Sequence, residues 1–306
     1  MIVLNLQQYP PPSPPPSPPA PVIAFTTPEN YAGRLSHLIR LKGWVPLWCP
    51  TLTVEPTLHT ISSLRRYLHF PDPPLRTFSA VAFTSRTGIS AFSEALSAVD
   101  SPPLPPDGDI FTISALGKDA ELLGESFVLK LCDRPARIRV LIPPVATPSS
   151  LAEALGLGEG RKVLCPVPAV IGLEEPPVVP KFLADLRRRG WVAVEVEAYE
   201  TRWRRGVAVA ELVRMMEEEE CGVEAMVFTS TAEVEGLLKS LREVGLDWGM
   251  VRRMCPRMVA AAHGPVTAAG AEKLGVGIDV VSSRFDSFRG IVDALQSRWN
   301  YSQPYQ

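Results

Sequence analysis

The sequence lacks both a charge excess and a long apolar run. Its 31 Lys and Arg residues nearly balance 33 Asp and Glu residues, which leaves a formal net charge of −2. Nucleic acids and anionic membranes are bound mainly through basic surfaces, so this balance argues against both partners. No stretch reaches the roughly 18 consecutive apolar residues that a membrane helix needs. With an apolar content of 46%, the chain is predicted to be a soluble globular protein.

Cysteine and histidine are also scarce. The chain has five cysteines and four histidines, and no two cysteines form a CxxC pair. An odd count without such pairs argues against a disulfide framework and against a zinc motif, and it favours free thiols in a reducing compartment. The histidines have no sequence partners that suggest a metal site or a catalytic triad. We therefore expect no metal, and we interpret His263 as structural.

Proline, by contrast, is abundant and concentrated near the N-terminus. Residues 9–21 read YPPPSPPPSPPAP and contain nine prolines. Missing N–H donors and fixed φ angles prevent this segment from forming a helix or a sheet. We predict a disordered tail over residues 1–21 and a second tail over residues 299–306. The absence of acidic residues is compatible with a plastid transit segment, which predicts a plastid location, although the usual arginines are missing. There are two alternatives. The segment is a linker, or the start of the sequence is wrongly assigned and the protein is cytoplasmic.

The remainder of the chain alternates between short apolar segments and segments of helical periodicity. Strands are predicted at 22–28, 80–85, 110–116, 137–143, 162–168, 191–201, 225–230, 258–264 and 278–283. Helices are predicted at 31–43, 87–98, 151–156, 178–190, 207–220, 231–244, 266–274 and 286–298. Such alternation is typical of parallel sheets with right-handed crossovers. The fold class is therefore α/β and doubly wound, and Pro46 and Pro50 make 44–54 an edge or connecting strand.

One short pattern occurs twice. AFTSRTG (82–88) and VFTSTAE (227–233) are each an apolar run that stops at Thr-Ser and continues as a helix. In a parallel sheet, strand ends and the following helix N-termini meet at one edge, where ligands bind. Thr and Ser at that point cap the helix, and Ser230 with Glu233 matches a capping box. We call the junction between such a strand end and the next helix N-terminus a corner. Capping alone, worth about 1 kcal/mol per helix, is a sufficient explanation for any single corner.

Polar or glycine-containing corners nevertheless recur along the chain. They comprise Thr26-Thr27, Thr84-Ser85, Gly117-Lys118, Thr229-Ser230, Gly264 to Thr267, and Ser283 to Asp286. A helix N-terminus stabilises a nearby negative charge by about 0.3–1 kcal/mol. Several such N-termini around one cleft would therefore suit a ligand with many anionic groups, such as a polycarboxylate.

Four segments resemble the signature segments of the uroporphyrinogen-III synthase family: VAFTSRTGISAF, VEVEAYETRW, MVFTSTAEVEGLL and AAHGPVTAAGAEKLG. The resemblance runs in order from residue 22 to residue 298. It implies two flavodoxin-like domains of doubly wound parallel sheet, joined by a two-stranded ladder. The implied ranges are 22–46 with 202–298 for the first domain, 55–192 for the second, and 47–54 with 193–201 for the connecting strands.

The resemblance also implies a reaction. The family's substrate is hydroxymethylbilane, a linear tetrapyrrole with eight carboxylates, which is cyclised with loss of water and inversion of its terminal ring. The product, uroporphyrinogen III, belongs to haem and chlorophyll biosynthesis. No cofactor or metal is implied, because the enzyme acts by orienting reactive atoms and by acid assistance. A monomer is expected, with hydroxymethylbilane synthase as a possible partner.

Matching the motifs residue by residue identifies candidate site residues. Tyr199 matches the tyrosine that is the family's favoured proton donor. The substrate-binding candidates are Thr27, Thr84, Ser85, Gly117, Lys118, Ser230, Gly264 and Thr267. Two positions depart from the family pattern: Ala120 replaces a threonine, and Thr27 replaces a basic residue. These departures leave open a non-catalytic protein that binds a polycarboxylate or a protein partner in the same cleft. Flavin or nucleotide binding is a third reading, by fold analogy alone.

Overall fold

The computed structural model describes residues 20–69, 72–174, 177–206, 209–217, 222–285 and 287–302. The predicted N-terminal tail thus lies outside the described residues except for its last two positions, and so does Asp286 at the last predicted corner. Within the described ranges, no helix is long and apolar enough to cross a membrane.

Within the described residues, eleven strands form two separate sheets. They are β1 (Val22–Phe25), β2 (Val45–Trp48), β3 (Leu52–Glu55), β4 (Ala80–Ala82), β5 (Phe111–Ser114), β6 (Ile138–Leu141), β7 (Lys162–Ile171), β8 (Val192–Trp203), β9 (Val223–Phe228), β10 (Val259–Ala262) and β11 (Val280–Val281). One sheet has five strands in the order β11-β10-β9-β1-β2 and is entirely parallel. The other has six strands in the order β3-β8-β7-β4-β5-β6 and is parallel except at β3.

Helices connect most of the parallel strands, as right-handed crossovers require. They are α1 (Glu29–Leu41), α2 (Leu58–Leu68), α3 (Arg86–Ser97), α4 (Glu125–Leu131), α5 (Pro148–Leu155), α6 (Val178–Arg188), α7 (Ala210–Met216), α8 (Thr231–Glu243), α9 (Trp248–Met254), α10 (Pro265–Lys273) and α11 (Arg289–Ser302). Short 3₁₀ helices lie at Pro74–Thr77, Gly117–Leu122 and Pro135–Arg137.

Both sheets are buried on both faces, because successive strand residues point to opposite sides. In β1, Ala24 packs into one apolar cluster, whereas Ile23 and Phe25 pack into another. In β4, Val81 and Ala80 likewise belong to different clusters. Helices cover all four faces, so the predicted doubly wound α/β fold is confirmed.

The chain passes between the sheets twice, at closely spaced points. Thr51, between β2 and β3, donates its hydroxyl to the Glu233 carbonyl at 3.1 Å, and its own carbonyl accepts from Arg204 N–H at 2.9 Å. A Cβ on Gly236 of α8 would lie 3.0 Å from the Thr51 Cβ. The crossing segment therefore packs directly on α8, at a position where only a glycine leaves room.

The antiparallel pair is shorter than the ranges that the sequence suggested. Leu52–Glu55 pairs with Glu200–Trp203 at the end of β8. The rest of β8 pairs in parallel with β7. Residues 193–201 therefore lie largely within the six-stranded sheet, and they do not form a free connection.

Three helices were missed from the sequence, namely α2, α4 and α9, and one expectation was wrong. Thr57 caps α2 through a reciprocal bond with Thr60, and Asp247 caps α9. Free thiols are confirmed at Cys49, Cys132 and Cys165. Cys255, however, is disulfide-bonded, so the expectation of thiols throughout does not hold there.

Candidate functional site

The predicted corners lie at the carboxyl ends of parallel strands in both sheets. Thr27 follows β1, Ser230 follows β9, and Gly264 precedes α10 after β10. In the six-stranded sheet, Thr84 and Ser85 follow β4, while Gly117 and Lys118 follow β5. Each sheet thus presents its helix N-termini at one edge, the edge at which open α/β sheets bind ligands.

Two predicted residues from distant segments meet at the start of α3. Ser85 caps this helix, since its Oγ accepts from Gly88 N–H at 3.1 Å. The same hydroxyl donates to the Tyr199 Oη at 2.9 Å. A Cβ on Gly88 would lie 3.2 Å from that hydroxyl oxygen. The candidate acid and the candidate binding serine are therefore one hydrogen-bonded unit at a helix N-terminus.

The surroundings of Tyr199 keep its phenol protonated. The side chain is buried, with 6% of the residue exposed. Burial raises the pKa of Tyr199 to about 12, while the Ser85 hydrogen bond acts in the opposite direction and Tyr31 adds to the increase. A phenol with a raised pKa stays protonated near neutral pH.

A buried carboxylate organises the corner of the five-stranded sheet. Glu233 is 1% exposed and accepts from the Thr26 hydroxyl at 2.9 Å, from Thr229 N–H at 2.9 Å and from the Ser230 hydroxyl at 3.2 Å. The Thr229 hydroxyl also donates to it. Burial raises the pKa of Glu233, and the hydrogen bonds from Thr229, Thr26 and Ser230 lower it. Sequence analysis identified only the capping box with Ser230, because Thr26 belongs to a distant strand.

Two predicted binding threonines are buried inside this corner. Thr267 donates its hydroxyl to the Thr229 carbonyl at 3.2 Å. Thr27 is fully buried, and within the described part of the chain its hydroxyl has no hydrogen-bond partner. The Thr27 carbonyl accepts from Trp48 Nε1 at 2.8 Å. In this conformation the side chains of both residues are buried in the interior of the corner.

A polar cavity of about 190 Å³, which we call the cleft cavity, lies between two halves of the chain. One half contains the five-stranded sheet and the other half contains the six-stranded sheet. Arg34 of α1 and Phe285 line it from the side of the five-stranded sheet. The lining from the other side consists of Leu116, Gly117, Lys118, Asp119 and Ala146. Gly117 has φ +49°, a left-handed conformation that favours glycine at this tight turn.

Only two of the predicted binding residues, Gly117 and Lys118, line the cleft cavity. Arg34 and Asp119 were missed by the sequence analysis. Arg34 lies on the exposed face of α1, where a single cation normally indicates a solvated helix surface. Asp119 directly follows the Gly-Lys corner, so an acidic residue at a predicted ligand edge was the signal that could have found it.

Hydrogen bonds join the two halves at two places. Asn30 Nδ2 of α1 donates to the Thr87 Oγ1 of α3 at 3.1 Å. Near the crossing between the sheets, Glu174 N–H donates to the Glu235 carboxylate at 2.9 Å, and Lys239 Nζ donates to the Gly172 carbonyl at 2.7 Å. In the described ranges, no group of three or more His, Cys, Asp or Glu residues is placed to hold a metal ion.

Comparison with known proteins identifies a matching family and similar structures. The family model described as uroporphyrinogen-III synthase HemD matches residues 33–291. A mutant uroporphyrinogen III synthase from Thermus thermophilus has a similar structure, with 19% identity, a TM-score of 0.51, and coverage of 91% of this chain and 100% of that one. A uroporphyrinogen-III synthetase from Helicobacter pylori matches at 13% identity and a TM-score of 0.47, covering 91% of this chain and 99% of that one. No curated protein sequence matches the chain.

Proposed function

The chain belongs to the uroporphyrinogen-III synthase family, and on that premise we propose that it is a cofactor-free lyase that converts hydroxymethylbilane into uroporphyrinogen III. The observation that supports this proposal best is the Ser85–Tyr199 pair at the N-terminus of α3. It offers a protonated, oriented phenol at the edge where substrate carboxylates would bind.

In the proposed reaction, Tyr199 gives its proton to the hydroxyl group that leaves the substrate as water. The remaining azafulvene is attacked by the substituted carbon of the terminal ring, and the resulting spiro intermediate fragments and recloses with that ring inverted. A C–H proton is then lost and restores the phenol. The Ser85 hydroxyl, which already donates to the Tyr199 oxygen, would stabilise the phenolate between these steps.

The binding of the substrate rests on its eight carboxylates. The N-termini of α3, α8 and α10 offer free N–H groups, and Arg34 with Lys118 adds positive charge at the cleft cavity. This cavity of about 190 Å³ is smaller than the usual range of about 300–1,000 Å³ for a drug-sized ligand. We therefore propose that the two halves move apart to admit the tetrapyrrole and close around it.

The two sheets support a division of the chain into two halves. The five-stranded sheet draws on residues 22–48 and 223–281, and the six-stranded sheet on 52–203. We propose a first domain of 22–46 with 202–298 and a second of 55–192. The crossing at Thr51 would then be the hinge.

Cellular context follows the same reasoning. We propose that hydroxymethylbilane synthase supplies the substrate, that the protein acts as a monomer, and that it acts in the plastid. Fractionation of cells that express the full chain would test the location, and its presence in the cytoplasm alone would contradict it.

A second candidate function is binding without turnover. Ala120, at the position where the family carries a threonine, is buried in an apolar cluster. This corner therefore lacks a hydroxyl that the family uses. The missing hydroxyl at Ala120 is what we would expect in a protein whose cleft still binds a polycarboxylate but no longer catalyses the reaction.

The decisive experiment supplies fresh hydroxymethylbilane and separates the product isomers by chromatography. We expect the wild-type chain to form the type III isomer in large excess over an enzyme-free control. Tyr199→Phe should lower the rate by about 10²–10⁴-fold, because general acid catalysis contributes that much. Its melting temperature should stay close to that of the wild type.

Tyr67→Phe is the matched control. Tyr67 packs edge-on against Phe78 in the same half of the chain, away from the α3 N-terminus, so its turnover should be unchanged. Formation of the type I isomer alone by folded wild-type protein would reject the synthase in favour of the binding protein. Full turnover by Tyr199→Phe would remove Tyr199 from the mechanism.

A further inference from the structure

One carboxylate of the chain itself lies in the cleft cavity. Asp119 belongs to the 3₁₀ helix Gly117–Leu122, and its Oδ1 lies 3.7 Å from Nη1 of Arg86, the first residue of α3. The Asp119 side chain is only 26% exposed. An acidic side chain thus lies beside the N-terminus of α3, where Ser85 caps the helix and contacts Tyr199 of β8.

The charges around Asp119 come from both halves of the chain. Burial raises the pKa of Asp119, while the Arg86 and Arg34 guanidinium groups and hydrogen bonding from Arg86 lower it. Tyr31 of α1 faces the same group, since Asp119 contributes to the raised pKa of that phenol. Two guanidinium groups, one from each half of the chain, therefore act on a single carboxylate. Lys118 lines the same cavity.

Such a cluster has the composition of a carboxylate-binding site. Guanidinium groups and helix N–H groups are the preferred partners of a carboxylate, and the cavity beside Asp119 leaves room for a small anionic group. Two carboxylates cannot both occupy these partners at low cost, because like charges in one site disfavour each other. A ligand carboxylate that enters must displace the resident one.

We propose that Asp119 occupies the place of a substrate carboxylate in the unliganded protein and that binding displaces it from Arg86 and Arg34. This inference rests on the proposed function to the extent that the ligand is a polycarboxylate. Because Arg34 and Arg86 lie on opposite sides of the cleft, a ligand carboxylate that replaces Asp119 would keep the two halves joined.

Displacement has a consequence for specificity. A carboxylate that the folded chain holds beside the site competes intramolecularly, so its effective concentration does not fall when free acids are dilute. A ligand with one carboxylate competes poorly against it, whereas a ligand held by several corners at once brings its own high effective concentration. Asp119 would therefore act as a specificity-determining residue that favours polycarboxylates over abundant small acids.

The test uses the full chain and uroporphyrin I, a stable octacarboxylate, with quenching of tryptophan fluorescence as the readout of binding. Asp119→Asn removes the charge of the resident carboxylate. We expect it to bind uroporphyrin I at least about fivefold more tightly than the wild type, the lower end of typical coupling between competing groups. Asp119→Ser, which also removes the charge, should show the same increase and replaces the first variant if that one does not fold.

Glu121→Gln is the matched control. Glu121 is exposed on the same 3₁₀ helix and does not line the cavity, so its loss changes net charge equally without freeing the site. Its affinity should stay within about twofold, as expected for a screened surface charge. Equal tightening in both variants, or unchanged or weaker binding by the Asp119 variants, would overturn the inference.

The isomer assay separates this inference from the proposed function. Tighter binding by Asp119→Asn, together with only type I product from the wild type, would support displacement and reject the synthase. Type III product from the wild type, together with no tightening by the Asp119 variants, would support the synthase and overturn displacement.

Discussion

At the scale of single residues, Glu233 shows how a helix cap becomes a structural centre. Its carboxylate accepts hydrogen bonds from Thr26, Thr229 and Ser230, and its carbonyl accepts from Thr51. No cation takes part in these hydrogen bonds. An unneutralised carboxylate in the core is costly, and the surrounding donors offset that cost only in part.

Truncation of the Glu233 side chain should therefore lower the free energy of unfolding strongly. Glu233→Ala leaves buried donors without an acceptor and creates a cavity, so we expect a loss of about 3 kcal/mol or more in the free energy of unfolding. Glu233→Gln keeps the shape and one acceptor oxygen and should lose clearly less. Denaturant unfolding measures both, and equal losses would show that the carboxylate has no special role in this corner.

The pH dependence of stability gives a second check on Glu233. Its pKa in the folded state is raised by burial, so its contribution to stability is fully present below the unfolded pKa of about 4.3 and decreases as pH rises through the folded pKa. The wild type should therefore lose stability relative to Glu233→Gln over the pH range that begins at about 4.3 and extends upward through the raised folded pKa. A constant difference across this range would contradict the raised pKa.

At the scale of secondary-structure elements, glycine inside a helix shows two opposite environments. Gly236 of α8 faces Thr51, and an added Cβ would lie 3.0 Å from that side chain. Gly33 of α1 has nothing within 4 Å of an added Cβ. Helix propensity is the same at both positions, so packing decides the sign of an alanine substitution.

Gly33→Ala should stabilise the protein by up to about 1 kcal/mol, the difference in helix propensity between the two residues. Gly236→Ala should destabilise it by about 1–3 kcal/mol, because it overpacks the crossing between the sheets. Thermal unfolding of the two variants measures the contrast. Stabilisation in both would mean that the crossing segment moves away at little cost.

At the scale of the whole molecule, the two halves of the chain meet at a cavity of about 190 Å³. Asn30 donates across to Thr87, and Arg34 shares the cavity with Asp119. Strands β1 and β4, by contrast, belong to the buried apolar clusters of the two sheets. Ligand binding should therefore change the mobility of the cleft segments and leave the sheets unaffected.

Amide hydrogen exchange with saturating uroporphyrin I measures this directly. We expect altered exchange in segments 29–34 and 117–119, because these backbones border the cavity, and no change in β1 and β4, which open only with global unfolding. Unchanged exchange in both cleft segments, with the ligand bound, would place the binding site elsewhere on the molecule.

Much of the fold was predictable because its signals are local. The continuous apolar runs of strands such as β4, β9 and β10, the helical spacing that follows them, and Thr-Ser at the end of β4 and β9 all lie within a few neighbouring residues. α2 was missed although Ile61, Leu64 and Leu68 have helical spacing, and α9 has only seven residues. The extent of β8 was predicted, but its pairing was missed, because nothing in its sequence shows that most of it pairs with β7.

The sequence by itself thus determined the α/β alternation, the polar corners and the family segments, since each depends on residues close together in the chain. Only the tertiary structure decided which side chains meet: Tyr199 with Ser85 across 114 positions, Glu233 with Thr26 across 207 positions, and Asp119 among cations from both halves of the chain. Local periodicity specifies which face of an element is buried and does not specify the distant partner packed against it.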